Sequence, residues 1–327
     1  MKFKGLAILT GLLLISGTLF SQTLTEVINK YNDGVSKLNA QEYDGAISLF
    51  QETLSMCEQV GNEANDMKSQ VENQIPSTYY RRAALWMKRK QYDKAIPYLE
   101  NTVKYATEYN NNQAFAEKSQ KFLESLYIIE GNKSVAAGNF DQATGFYDKA
   151  LALNPNLSKA HQGKAIVFMK EEDTADMLKE FGVAKDLAAK EGDNELINEM
   201  NIMIDNYFNP MIFDALSSLD PEDPNYTDVV DACNAAISAN DQNATAYYVL
   251  CLINNRMIEY DDAIEAGTKA AKYETDETKL SNIYYELGLS YIGNAEYEKA
   301  CEALNKVTAG DSVEKAEKKK SSVPGCN

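Results

Sequence analysis

The chain has 327 residues, with 32 basic and 49 acidic side chains, a formal charge of −17, one histidine and five cysteines. An acid excess of that size argues against a nucleic-acid surface and an anionic-lipid surface, since both require clustered positive charge. No segment alternates strictly between apolar and polar residues, and Ala, Leu, Lys, Glu and Asn dominate, which makes the expected class all-α.

Met1 to Ser21 is expected to be a secretory signal. Lys2 and Lys4 precede an apolar run from Gly5 to Phe20 that is too short for a comfortable membrane span. Cleavage is expected between Ser21 and Gln22. No cysteine follows the run, so a lipoprotein anchor is not expected. The mature protein is expected to be periplasmic or secreted, with no membrane insertion after cleavage.

Beyond the signal, one pattern recurs seven times. Its clearest copies are Tyr43-Ala46-Phe50-Thr53, Phe140-Ala143-Tyr147-Ala150 and Tyr297-Ala300-Leu304-Val307. Tyr92-Ala95-Leu99-Thr102 and Tyr260-Ala263-Gly267-Ala270 follow it, and Thr174-Met177-Phe181-Ala184 and Tyr226-Val229-Cys233-Ala236 are degenerate copies. Steps of three and four place each set on one helical face. Repetition along the chain predicts a solenoid that buries its apolar surface between neighbours and works as a binding surface.

These residues resemble the tetratricopeptide repeat (TPR) family. In the last copy Tyr284, Leu287, Gly288 and Tyr291 stand at helix A positions, Gly293-Asn294-Ala295 at the turn, and Tyr297, Ala300 and Leu304 at helix B positions. Tyr127, Gly131, Gly138, Phe140, Ala143, Tyr147, Ala150 and Pro155 match in the third copy, and Gly34, Tyr43, Ala46 and Phe50 in the first. The resemblance implies an α-α superhelix of about seven helix-turn-helix repeats, near 27–59, 76–108, 124–157, 158–191, 210–243, 244–277 and 281–310. Residues 311–327 are expected to form a disordered tail. Two intervals between copies equal the family period of about 34 residues. The longer ones predict extra helical residues: over 52–74 and 114–129 an extended helix B or an extra turn or two after it, and over 194–219 a long stretch broken near Asn209-Pro210. Turn Gly or Asn is expected to supply the positive φ that ends helix A.

No motif for catalysis stands out. His161 falls at a helix packing phase. No Cys/His spacing suits zinc, and neither a Gly-rich phosphate loop nor a Gly-x-Ser-x-Gly elbow appears. No catalytic, cofactor or metal residue is therefore expected. Between Asp220 and Asp231, Pro224 and a missing loop glycine break calcium-loop spacing, so the stretch is expected to cap the next helix through Thr227 or Asp228. Cys57, Cys233, Cys251, Cys301 and Cys326 do not form a disulfide framework. Cys233 and Cys251 are either a disulfide between neighbouring helices or two buried thiols, and Cys326 is expected to be exposed. Arg81, Arg82, Lys88, Arg89 and Lys90 are expected to be a solvated face. Asp173-Thr174-Ala175 and Asp311-Ser312-Val313 match a short O-glycosylation pattern of the Bacteroidetes, whose exported proteins the Ser-Gln junction also resembles.

The resemblance implies that helix A residues line an inner, concave groove. Its recurring fifth position carries Tyr31, Tyr80, Tyr248 and Tyr285. With Met87, Ile128, Asn132, Ile166, Met169, Leu252, Asn255 and Leu289 these are the candidate partner-binding residues. Tyrosine offers large contact area at low entropy cost, though the same rings also suit packing against the adjacent helix. Carboxylate-gripping TPRs carry Lys where these tyrosines stand, so a groove for an apolar extended or helical segment of another protein is expected. The functional expectation is a non-enzymatic scaffold of the bacterial envelope. A glycan- or peptidoglycan-binding module is the alternative, since tyrosines also stack on sugars.

Overall fold

The recurring Ala and aromatic positions sit where helices touch. In the computed structural model, which describes residues 23–222 and 224–326, the chain is all-α and forms helix hairpins in succession. The expected signal segment and its cleavage point lie outside the described residues. The hairpins are α1 Leu24–Asn39 with α2 Tyr43–Val60, α3 Asn65–Lys88 with α4 Tyr92–Glu108, and α5 Gln113–Ala136 with α6 Phe140–Leu153. They continue with α7 Ser158–Lys170 and α8 Thr174–Glu191, then α9 Asn194–Ser217 and α10 Thr227–Ala239. The last are α11 Ala244–Met257 with α12 Tyr260–Tyr273 and α13 Glu277–Gly293 with α14 Tyr297–Asn305, followed by a single helix, α15 Ser312–Lys320. The helices form two compact units that divide between Glu130 and Gly131.

The second helix of each hairpin buries the recurring residues. Ala46, Phe50 and Thr53 are fully buried, as are Ala143 and Ala150, Met177 and Ala184, and Val229, Cys233 and Ala236. The helices approach closely because glycine faces the large residue. A Cβ on Gly34 would lie 2.8 Å from the Phe50 ring, and one on Gly288 would lie 2.6 Å from Leu304. Tyr147 is enclosed by Gly131 and Gly163 on either side, and its hydroxyl donates to Asn132 Oδ1 at 2.7 Å.

One turn recurs between the paired helices. The last residue but one before helix B takes positive φ at Gln41, Lys90, Gly138, Glu172, Ile258 and Ala295. The next N–H then reaches back five residues, as Glu42 N does to Lys37 O at 2.9 Å and Glu296 N to Tyr291 O at 2.8 Å. The expectation of Gly or Asn at this seat holds only for Gly138. Gly293 instead ends α13 helically, where the Tyr260 ring leaves no space for a Cβ. The α9–α10 connection lacks the turn.

Several expectations need correction. α9 runs unbroken through Pro210, whose ring is exposed while Phe208 and Ile212 keep the buried face. Losing one N–H on the solvent side does not end a helix held by a continuous apolar stripe. The fifth hairpin accordingly begins at Asn194, not near 210. The extra length after the first hairpin takes the second of its two expected forms, a short 3₁₀ turn, Gly61–Ala64, leading into the 24-residue α3. Neither Thr227 nor Asp228 caps α10: its N-cap residue is Tyr226, without a side-chain cap, and Asn225 Oδ1 accepts from Thr227 N at 3.1 Å just ahead of the helix. The expected disordered tail contains α15, with Ser312, Ala316 and Val323 buried. Cys326 is bonded to Cys301, while Cys57, Cys233 and Cys251 are free and buried. Among the described residues no helix is long and apolar enough to cross a membrane.

Candidate functional site

In the second unit, α11 and α13 lie side by side, and helical spacing brings one residue per turn to the same side of each. From α11 these are Tyr248, Leu252 and Asn255, and from α13 they are Tyr285, Leu289 and Ile292. They line two cavities. The first, about 370 Å³, is walled by Tyr248, Asn282, Tyr285, Glu286, Asp311 and Lys315. The second, about 400 Å³, is walled by Leu252, Asn255, Arg256, Glu286, Leu289, Ile292 and Lys319, among others. Glu286 lines both.

A polar network anchors that shared wall. Asn255 Nδ2 donates to Glu286 Oε2 at 3.1 Å and to the Glu286 carbonyl at 3.0 Å. Ser290 Oγ donates to Asn255 Oδ1 at 2.8 Å and is also 2.9 Å from the Glu286 carbonyl. Burial pushes the Glu286 carboxyl above its ordinary value, against the opposing effect of the Asn255 hydrogen bond and of Arg256 and Lys315. Burial, and next the nearby Glu286 charge, push the Tyr248 hydroxyl up to about 12. The same two causes raise Tyr285. The wall is thus a shielded carboxylate between two phenols, with apolar surface on its far side.

The other candidate residues are placed differently. Tyr31 packs on Phe50, ring centroids 5.7 Å apart. Tyr80 packs on Phe115 at 5.2 Å and lies under the Lys118 ammonium at 5.3 Å. Ile166 and Met169 lean on the large core of the second unit, as do Tyr248 and Leu252. The Asn132 carboxamide is taken by Tyr147. Met87 and Ile128 are half-buried in the first unit. Within the second unit the structure therefore gathers Tyr248, Leu252, Asn255, Tyr285 and Leu289 into one strip, while Asn132, Ile166 and Met169 do not line its two cavities. Glu286, Arg256, Lys315 and Lys319 did not stand out in the sequence, because an acid and a few lysines carry no signal in a chain this charged.

His161 serves structure: Nδ1 is 2.6 Å from Glu180 Oε2 and Nε2 is 3.2 Å from the Pro155 carbonyl, tying α7 to α8 and to the preceding loop. Of the basic group, Arg82 donates to Asp44 Oδ1 at 3.2 Å and lies 4.6 Å from the Trp86 ring, so it packs within the first unit. Ser312 is buried and donates to Asn282 Oδ1 at 2.6 Å. Thr174 Oγ1 is half-buried, 2.8 Å from the Tyr207 hydroxyl. Among the described residues no cluster of His, Cys, Asp and Glu has the geometry to hold a metal ion.

No protein-family model matches the sequence, and no curated protein matches it. Solved structures do. The chain is similar to MamA protein at 25% identity, over 61% of this chain and 94% of that one, with a TM-score of 0.28. It is also similar to the TPR2AB domain of yeast Sti1 in a pHSP90 complex, at 16% identity over 91% and 95%, TM-score 0.34. A tetratricopeptide repeat protein from Parabacteroides merdae matches at 11% identity over 89% and 97%, TM-score 0.26. Overlaps this loose transfer no site and no partner. The fold is a TPR-type helical solenoid, as the hairpins, the close glycine contacts and the recurrent turn describe it.

Proposed function

We propose that this protein is a non-enzymatic interaction scaffold of the bacterial cell envelope that holds a segment of another protein along the helix A side of its C-terminal repeats. The observation that carries the reading is the strip from Tyr248 to Leu289, two adjoining cavities lined by regularly spaced residues of neighbouring helices. Regular spacing on parallel helices suits an extended or helical segment, which presents its own side chains at regular intervals. Export rests on the Lys2-Lys4 and apolar opening of the chain. N-terminal sequencing of the exported protein is expected to begin at Gln22.

The test is a cross-linking pull-down of the mature protein from envelope extract, beside a Tyr248→Ser, Tyr285→Ser variant. The scaffold reading expects a protein captured by the native chain and lost with the variant. Equal capture by both would move binding away from this strip. A second reading, glycan binding, is favoured by the first cavity alone, where two tyrosines stand beside Asp311 and Asn282. It expects no protein capture and a signal on a glycan array.

A further inference from the structure

Carboxylates shielded from water are normally paired or fully hydrogen-bonded, because an isolated charge at low dielectric is costly. Glu180 follows that rule, with His161 at 2.6 Å and Lys164 at 3.7 Å. Asp205 does so differently, accepting from Asn240 and Asn243 at 2.8 Å each. Glu286 does not. It accepts one side-chain hydrogen bond, from Asn255, and no cationic nitrogen among the described residues lies within 4.0 Å of it. Arg256, Lys315 and Lys319 line the two cavities without closing on it. Beside it the Tyr248 and Tyr285 hydroxyls make no hydrogen bond to described residues, and their rings face the same cavity.

We infer that Glu286 is the counter-ion for a basic side chain of the bound segment, lysine or arginine, which enters the cavity between Tyr248 and Tyr285 while a neighbouring apolar side chain enters the one lined by Leu252, Leu289 and Ile292. The cation donates to the carboxylate oxygen that Asn255 leaves free and lies against the two aromatic rings, an arrangement that stabilises desolvated ammonium and guanidinium groups. The first cavity holds two carboxylates, Glu286 and Asp311, against one ammonium, Lys315. The formal charge of −17 on the whole chain favours encounter with a basic partner. Arg256 and Lys319 also line the second cavity, where they can meet backbone carbonyls of the segment. This assignment rests on the groove reading above and gives it a partner chemistry opposite to that of a carboxylate clamp.

The test exposes the full mature protein to a bead library of random hexapeptides and sequences the retained beads. The inference expects enrichment of Lys or Arg next to an apolar residue. It also expects Glu286→Gln, similar in shape and able to accept from Asn255, to weaken the selected peptides about tenfold or more, the size of a lost charged hydrogen bond. Lys315→Met removes the competing ammonium from an exposed position and is expected to tighten them severalfold. Enrichment of acidic or purely apolar peptides, or unchanged affinity in Glu286→Gln, overturns the inference and leaves the groove reading standing. Weaker binding by Lys315→Met also overturns it. Retention of no peptide overturns both.

Discussion

Tyrosines are spent in opposite ways in the two units. In the first, Tyr79 stacks on Tyr105 at 5.4 Å and tilts against Tyr98 at 6.2 Å, while Tyr31 and Tyr80 cover phenylalanines. In the second, Tyr248 and Tyr285 flank a carboxylate on the wall of an open cavity. The four share a position in the repeat, so the position alone does not decide the role. What decides it is the neighbouring helix. The first unit answers its tyrosines with aromatic rings, whereas in the second Tyr248 and Tyr285 pack against mainly aliphatic cores and also stand beside Glu286 on a cavity wall.

The largest effect expected from this contrast is at Tyr79, which is 8% exposed inside a cluster of rings. Tyr79→Ala should lower stability by about 3 kcal/mol in urea unfolding. Tyr31→Ala and Tyr80→Ala should each cost about 1–2 kcal/mol, because each loses an aromatic pair at a half-buried site. Tyr285→Ser should cost less, within about 1 kcal/mol, yet abolish partner capture. Equal costs at 80 and 285 would erase the distinction between the units.

A smaller, opposite effect is expected at Ile258, a β-branched residue at φ 64° with 70% exposure in the α11–α12 turn. Ile258→Gly should raise stability by about 0.5–1 kcal/mol, since glycine enters this region without steric cost but loses more entropy on folding. The change leaves the cavity walls intact, so binding should not move. Loss of binding would mean that the turn, and not the wall, shapes the site.

The smallest effect concerns pH. A carboxyl raised in the folded state stabilises the fold only when protonated, so its contribution is present at low pH and lost as pH rises through the folded value. Glu286→Gln removes that loss. The variant should therefore unfold at a higher temperature than the native chain near pH 7, and the gap should shrink as the pH falls into the ordinary carboxylate range. The raised Asp205 is common to both proteins and cancels in the difference. A gap independent of pH would show that Glu286 is not shielded in solution.

Most of the fold was legible because burial follows spacing. Ala46, Phe50 and Thr53, or Met177, Phe181 and Ala184, are buried where steps of three and four place them, even in degenerate copies. The turns were less legible. Gln41, Lys90, Glu172, Ile258 and Ala295 occupy a left-handed seat that composition assigns to glycine, because the tertiary stack holds them there. α15 was hidden by its lysines, three of them at its C-terminal end, and by the glycine and proline that follow. Its place is secured by burial of Ala316 and Val323 and by the Cys301–Cys326 bond, which local pattern does not reveal. The strip from Tyr248 to Leu289 was legible as a helix face. Glu286 was not, since its distinction is a carboxylate held by Asn255 with no cation among the described residues within 4.0 Å, which only the packed structure shows.

The most direct test of the difference between the units places the photo-cross-linker 4-benzoylphenylalanine at position 31, 80, 248 or 285 in turn and irradiates cells producing each variant. The account predicts adducts with the same partner from positions 248 and 285 and none from 31 and 80. Adducts from 31 or 80 at equal or greater yield would contradict it and place the binding surface in the first unit.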